Sequence, residues 1–226
     1  MQHAFVETNW VAAYAAPAHH KVPAAVELLS RARAGELQLH LPLCCLTEAR
    51  HPIVTKCQPR READAIREFL SWASSSGTVD GQTVETTRWV LDQYEAHVRS
   101  ELGRLPDTLA SLRSERSLDI FPLNEGMLSQ CAELAFSDFA LKPFDQAVLA
   151  AVLVHARELW DAGEHELCFC ELDGDLQPWD KYGNAKAPLV EFYEGARIWV
   201  YGDFELLAPE RPADWSENMT ADPADE

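Results

Sequence analysis

Four carboxylates in this 226-residue chain stand where acids can share a cation: Glu7, Glu48, Asp145 and Asp173. The apolar pattern around each one places it. Ala4-Phe5-Val6 reads as a short strand that runs into a loop at Glu7-Thr8-Asn9. Leu37 to Leu46 reads as a buried second strand ending in Thr47-Glu48. Leu167-Cys168-Phe169-Cys170 reads as a further strand that terminates at Asp173-Gly174-Asp175. Asp145 falls in the first turn of the strongest helix, with Val148, Leu149, Val152, Leu153, Ala156, Leu159 and Trp160 on one face and Gly163 at its end. Ligands of open α/β sheets bind at the carboxyl ends of the strands, so these acids are expected on one edge. Such a cluster repels itself unless a cation is present. Mg²⁺ or Mn²⁺ suits oxygen donors, makes a bound water a better nucleophile and stabilises charge developing on a phosphoryl group.

Taken singly, each acid also has an ordinary structural reading. Glu7 can be a surface residue past a strand, and Glu48 can favour the start of a helix after Thr47. Asp145 suits the dipole at a helix N-terminus, and Asp173-Gly174 is a turn signal. The joint reading rests on four acids falling on one edge in one topology.

The elements that must position them alternate. Helical stripes start at Pro23 (Ala25, Leu28, Leu29, Ala32, closed by Gly35) and at Pro59 (Ala63, Ile66, Phe69, Leu70, Ala73). A longer stripe follows (Val90, Leu91, Tyr94, Val98, Leu102), and Pro106-Asp107 opens a shorter helix. Leu118 to Leu123 reads as a strand, and Asn124 as the N-cap of a helix carrying Leu128, Cys131, Leu134 and Ala135. Strands alternating with helices imply a parallel sheet covered on both faces. The expectation is a three-layer α/β/α domain over residues 1–208, with a helical insertion at about 55–117 and an acidic, partly disordered tail over 209–226. A last apolar piece, Ile198 to Tyr201, precedes that tail. The aromatics Trp179, Tyr182, Tyr193 and Trp199 are suited to covering either the sheet edge or a partner.

The formal net charge is -18 and the pI near 4.7, which argues against a surface that binds nucleic acid everywhere. The charge is uneven: Asp203 to Glu226 holds eight acids and one base, whereas Arg50, Lys56, Arg60, Arg61 and Arg67 outnumber Glu62 and Asp64. No apolar run reaches the roughly 18 residues that span a bilayer. Glu7 closes the first apolar stretch and no basic region precedes it, so neither a signal peptide nor a membrane role is expected, and a cytoplasmic location is. The six cysteines lie mostly in apolar stretches and are expected as free, buried thiols.

These segments together resemble a PIN domain, the metal-dependent ribonuclease fold of many toxin–antitoxin toxins and RNA-processing nucleases. Phe5-Val6-Glu7-Thr8-Asn9 resembles the first-strand motif, and Leu43-Cys44-Cys45-Leu46-Thr47-Glu48 the second, a strand ending in Glu. Leu141-Lys142-Pro143-Phe144-Asp145 with Gln146-Ala147-Val148-Leu149-Ala150-Ala151 is similar to the third, where Asp opens a helix. Leu167 to Leu176 is similar to the fourth, a strand leading into Asp and a second Asp. The likeness covers roughly residues 4–176, and each motif is short.

The resemblance implies hydrolysis of RNA phosphodiesters with Mg²⁺ or Mn²⁺. Glu7, Asp145 and Asp173 would ligate the ion, with Glu48 as a further ligand or an orienter of the water. Asn9 and Asp175 would support the ligands, and Thr8 would bond near the scissile phosphate. Arg50, Lys56, Arg60 and Arg61 would contact the RNA backbone, or else form a solvated helix face. An antitoxin-like protein partner and a homodimer stay open. The family's first acid is Asp. Glu7 adds a methylene that can displace the carboxylate, so the site would shift, favour Mn²⁺ or lose activity. The main alternative is a catalytically degenerate PIN-like domain acting as an RNA-binding or protein-interaction module. Other α/β hydrolases and phosphatases are disfavoured, because Gly-x-Ser-x-Gly, a Walker loop and a first-strand Asp-x-Asp-x-Thr are all missing. Asp173-Gly174-Asp175 is not a calcium loop, since Pro178 intrudes. His19-His20 sits in a polar loop.

Overall fold

The computed structural model describes residues 1–136, 141–172, 174–180 and 182–206. Five short strands form its centre: β1 (Gln2–Phe5), β2 (Leu37–Pro42), β3 (Leu118–Phe121), β4 (Leu167–Cys170) and β5 (Trp199–Tyr201). Their order is β3-β2-β1-β4-β5, and every pairing is parallel. Parallel neighbours need a crossover, and crossovers are right-handed. The chain steps one way from β1 to β3 and then returns past β1 to β4 and β5. That reversal puts the later helices on the opposite face from the earlier ones and yields a three-layer α/β/α fold.

The first face carries α1 (Thr8–Ala15) and α2 (Pro23–Arg33), locked together by Trp10, whose buried indole N–H donates to the Ala25 carbonyl at 3.1 Å. The other face carries α8 (Glu125–Phe136), α9 (Pro143–Asp161) and α10 (Ala187–Gly195). Phe5 meets His155 of α9 edge-on, and Phe169, level with Phe5 across the ladder, meets Tyr193 of α10. The apolar stripe of α9 is buried from Val148 to Leu153 and again at Ala156. Gly163, at φ 95°, takes the left-handed conformation that ends this helix. Asn124 caps α8 by accepting the Met127 N–H at 2.9 Å, as its sequence context indicates.

Three departures from the sequence reading stand out. The stretch after β1 is a helix and not a loop, because Glu7 adopts extended backbone angles and caps α1. The second strand ends four residues early. Pro42 has no N–H for the ladder, and a helix, α3 (Leu43–Glu48), starts directly after it. A further helix, α10, precedes the last strand and buries Tyr193, whose hydroxyl donates to the Leu176 carbonyl at 2.9 Å.

Between β2 and β3 the chain is helical throughout: α3, α4 (Arg50–Cys57), α5 (Arg60–Ser75), α6 (Gly81–Gly103) and α7 (Leu105–Arg113). The helical stretch therefore begins at Leu43 rather than near residue 55. Helices α5 and α6 have a small core of their own, Ala63, Leu70, Val84 and Leu91. Arg67 ties them by reaching Glu95 at 2.6 Å and Asp92 at 3.0 Å. Two helices alone cannot cover wide apolar faces. Ile66, Phe69 and Trp72 of α5 and Trp89 and Val90 of α6 accordingly stay exposed, although the periodicity assigned several of them to the core. All six cysteines are free thiols, with Cys44 and Cys131 half-buried and the others buried. Among the described residues, no helix is long and apolar enough to cross a membrane.

Strand β3 is anchored to α2 through Arg33, which donates to Glu115 at 2.6 and 2.9 Å. The guanidinium, followed by the Ser117 hydroxyl and N–H, holds the Glu115 carboxyl down to about 2. A depressed carboxyl contributes stability fully above its unfolded value and loses it as the pH falls through the folded one. Glu115→Gln should therefore lower the urea midpoint by a constant amount above about pH 4.5. The two curves should converge as the pH approaches about 2.

Candidate active site at the carboxyl edge

The sheet reverses direction at β1, so the crevice between the carboxyl ends of β1 and β4 is the topological switch point. Glu7 stands two residues past β1, nearly buried at 5% exposure. Its Oε1 accepts the Asn9 N–H at 2.8 Å, which satisfies one of the unpaired donors at the start of α1. Glu171 directly follows β4 and is completely buried, a residue the sequence reading passed over in favour of its neighbour. Burial inside the sheet's end raises the thiol of Cys170 and the hydroxyl of Tyr193, and in both cases the charge of Glu171 adds to the rise. The signal for Glu171 was present as an acid flanked by Cys170 and Leu172. Burial of that acid depended on β5 and α10 covering the strand end.

Glu48 ends α3 rather than a strand. Its side chain is half-buried, and Oε2 is enclosed without a hydrogen bond. Helix α3 brings it toward Glu7 through a pair of thiols. Burial pushes the Cys45 thiol well up, and the nearby charge of Glu7 reinforces the rise. Cys44 is held down mainly by its hydrogen bond with Cys45, while Glu48 opposes that shift. Glu7 and Glu48 thus flank the same dipeptide. Asp145 lies in the first turn of α9, as expected, with Oδ2 buried. Three residues before it, Lys142 donates to Asp175 Oδ2 at 3.2 Å and joins the start of α9 to the segment after β4. The third and fourth sequence motifs therefore do meet. Asp173 itself lies outside the described residues.

Thr8 is buried beside Glu7, and Asn9 is half-buried. Asn9 lines a cavity of about 340 Å³ with His20, Lys56 and Leu172, walled by Ala12, Ala13, Ala16, Ile53 and Cys57. That volume is at the lower end for a small-molecule pocket, about 300–1,000 Å³. Among the expected cations whose side chains are described, Lys56 lines this cavity. Arg50 is exposed at the start of α4, around a shallow depression with Thr47, His51 and Val54. Arg60 and Arg61 open α5, and their side chains lie outside the described residues.

The structure also gathers a second polar group that the sequence reading did not single out. His40 of β2 is bonded through Nδ1 to Asp119 Oδ2 on β3 at 3.0 Å, and His155 Nε2 lies 3.4 Å from that same oxygen. Among the described residues, these three form the one set of His, Cys, Asp or Glu donors within 4.8 Å of one another. Glu7, Glu48 and Asp145 share an edge without making such a set by themselves. Burial lowers the His40 value, while bonds to His155 and then His40 hold Asp119 far below the usual carboxylate range. Burial acts to lower His155 too, but the Asp119 and Glu158 carboxylates together raise it. His40 and Asp119 are level across the ladder and His155 comes from α9, a convergence that no linear spacing encodes.

Comparison with family models, with curated proteins and with solved structures finds no match for this chain. The site is read on its own chemistry.

Glu7→Ala should destabilise the fold by about 1 kcal/mol in urea unfolding, the usual cost of a lost N-cap. Glu7→Asp should retain that stability, since Asp caps at least as well.

Proposed function

We propose that the chain is a metal-dependent ribonuclease of the PIN-like kind, hydrolysing RNA phosphodiesters at the carboxyl edge of its sheet. The observation that supports it is the crevice at the β1/β4 switch point, flanked by Glu7 and Glu171, with Asp145 at the helix start facing the same edge. The donor set is made of carboxylate oxygens, which suits Mg²⁺ or Mn²⁺ and not a thiolate-preferring ion. The enclosed, unbonded Glu48 Oε2 fits such an ion, because a buried carboxylate oxygen with no donor is costly otherwise.

In this reading Glu7, Asp145, Asp173 and Glu48 hold the ion, and Asp175 fixes the approach of α9 through Lys142. When bound, the ion would activate water and offset charge on the phosphoryl oxygens. Glu7 gives Oε1 to the Asn9 N–H, so its extra methylene is held in one orientation by the cap. Lys56 neutralises a phosphate at the cavity, and the alanine wall of α1 receives an apolar base or sugar face.

A second reading has a specific observation behind it: the exposed Phe69, Trp72 and Trp89 of the insertion suit a protein partner, and an antitoxin-like chain or a second copy would cover them. A catalytically silent interaction module would use that face instead of the acids.

Labelled single-stranded RNA incubated with Mn²⁺, Mg²⁺ or EDTA separates the two. Cleavage should require the metal and fall at least about 100-fold in Asp145→Asn, the loss expected when transition-state charge loses its ion. Lys56→Ala should weaken RNA binding and lower the salt dependence by about one counterion. Equal cleavage by Asp145→Asn would assign the activity to a contaminant, and failure with every ion would favour the interaction module.

A further inference from the structure

We infer that His40, Asp119 and His155 form a second metal site, selective for a borderline transition ion of the Zn²⁺ type and separate from the carboxylate edge. The inference is independent of the ribonuclease reading. His155 is ten residues beyond Asp145 on the same helix, about 15 Å along its axis, so the two sites do not share an ion.

The convergence of donor atoms carries the argument: one ligand atom each from His40, Asp119 and His155 lies within 4.8 Å of the others. Around them, His40 Nδ1 is bonded to Asp119 (3.0 Å), His40 Nε2 to His3 Nδ1 (2.9 Å) and His155 Nδ1 to Glu158 (3.0 Å), while His3 Nε2 lies 3.0 Å from Glu164 and His155 Nε2 3.4 Å from Asp119, neither with hydrogen-bond geometry. A neutral imidazole has one N–H and one lone pair. When His40 donates from Nε2 to His3 Nδ1, its Nδ1 lone pair faces the Asp119 carboxylate. If His155 gives its N–H to Glu158, its Nε2 lone pair faces the same carboxylate. Two lone pairs and an anion converge on one point. A divalent cation at that point takes both lone pairs and the carboxylate as ligands.

The cation is favoured by how the ligands are held. Each metal-facing histidine has its other ring nitrogen bonded outward, His155 to the Glu158 carboxylate and His40 to the His3 imidazole, as metal-ligating histidines characteristically do. Glu158 is itself fixed by Asn124, which donates to its other oxygen at 3.1 Å. His155 is stacked on Phe121 with ring centres 4.2 Å apart, and Phe5 closes its edge. His155 Nε2 is buried yet makes no hydrogen bond of good geometry, because Asp119 is offset from it. His40 is 3% exposed, while the Asp119 side chain on edge strand β3 is 45% exposed. The ion is therefore enclosed by protein on one side and open to water on the other, three ligands plus solvent. Imidazole donors select Zn²⁺, Co²⁺ or Ni²⁺ over Mg²⁺.

The full chain is titrated with Co²⁺ at pH 7.5 and followed by visible absorption and calorimetry, then displaced with Zn²⁺. One equivalent should bind with d–d bands and no thiolate charge-transfer band, which separates this site from the six free cysteines. Asp119→Asn and His155→Gln should each abolish the bands. Glu158→Gln should weaken binding about 10- to 100-fold. Asp145→Asn should leave the spectrum unchanged even if it destroys RNA cleavage. Far-UV circular dichroism of each variant without metal establishes that it is folded, and the solvent-facing Asp119→Asn serves if His155→Gln is not. No stoichiometric binding, a thiolate band, or binding unaltered in folded Asp119→Asn would overturn the inference.

Discussion

Strand β1 is buried on both faces and has a parallel partner on each side, β2 and β4, and the rest of the molecule is arranged around that constraint. A parallel pair cannot be closed by a turn, so each neighbour of β1 demands a helical crossover. Because right-twisted strands accept right-handed crossovers, reversing the direction of travel at β1 sends the second set of helices to the other face. The same reversal opens a crevice at the carboxyl ends of β1 and β4. Nothing else is needed to bring Glu7, Glu171 and the start of α9 to one edge. Short strands, three to six residues each, are sufficient because the layers on both sides supply the buried area.

One sheet thus presents two kinds of polar chemistry. At its carboxyl edge the donors are oxygens, some enclosed and held by caps and by neighbouring helices. In the layer between sheet and α9 the donors are mainly imidazoles, His3 bonded to His40, His40 to Asp119 and His155 to Glu158. Burying so many titratable groups is costly unless each donor meets an acceptor. Where imidazole lone pairs face a carboxylate, a cation can take them as ligands. The physics of the network, and not its location in the fold, sets what it can bind.

The insertion follows a different logic. Helices α5 and α6 have a core of four buried residues and rely on the Arg67–Glu95–Asp92 bridges to stay together. Their aromatic outer face and the compact α/β core meet solvent on very different terms. Reaction chemistry at the sheet edge and association through the insertion would therefore use separate surfaces.

Much of this was legible in the residues themselves. Apolar periodicity gave the strand–helix alternation, the buried stripe of α9 and the cap at Asn124, because these depend on neighbours within one or two turns. The approach of the third and fourth motifs also followed from order alone. Other features did not. Pro42 converts the end of an apolar run into a helix, so Glu48 ends α3 instead of a strand. Glu7 spends one oxygen on a cap, which its position beside Thr8-Asn9 did not announce. Phe69 and Val90 carry core-like spacing but have no third helix to cover them. The histidines show the limit most plainly: His3, His40, Asp119 and His155 come from three strands and a helix. Only the ladder register and the height at which α9 crosses it bring those side chains together. Sequence determined which elements form, since local patterns decide that. Tertiary structure decided which distant polar atoms share a space, because it is long-range packing that takes them out of water together.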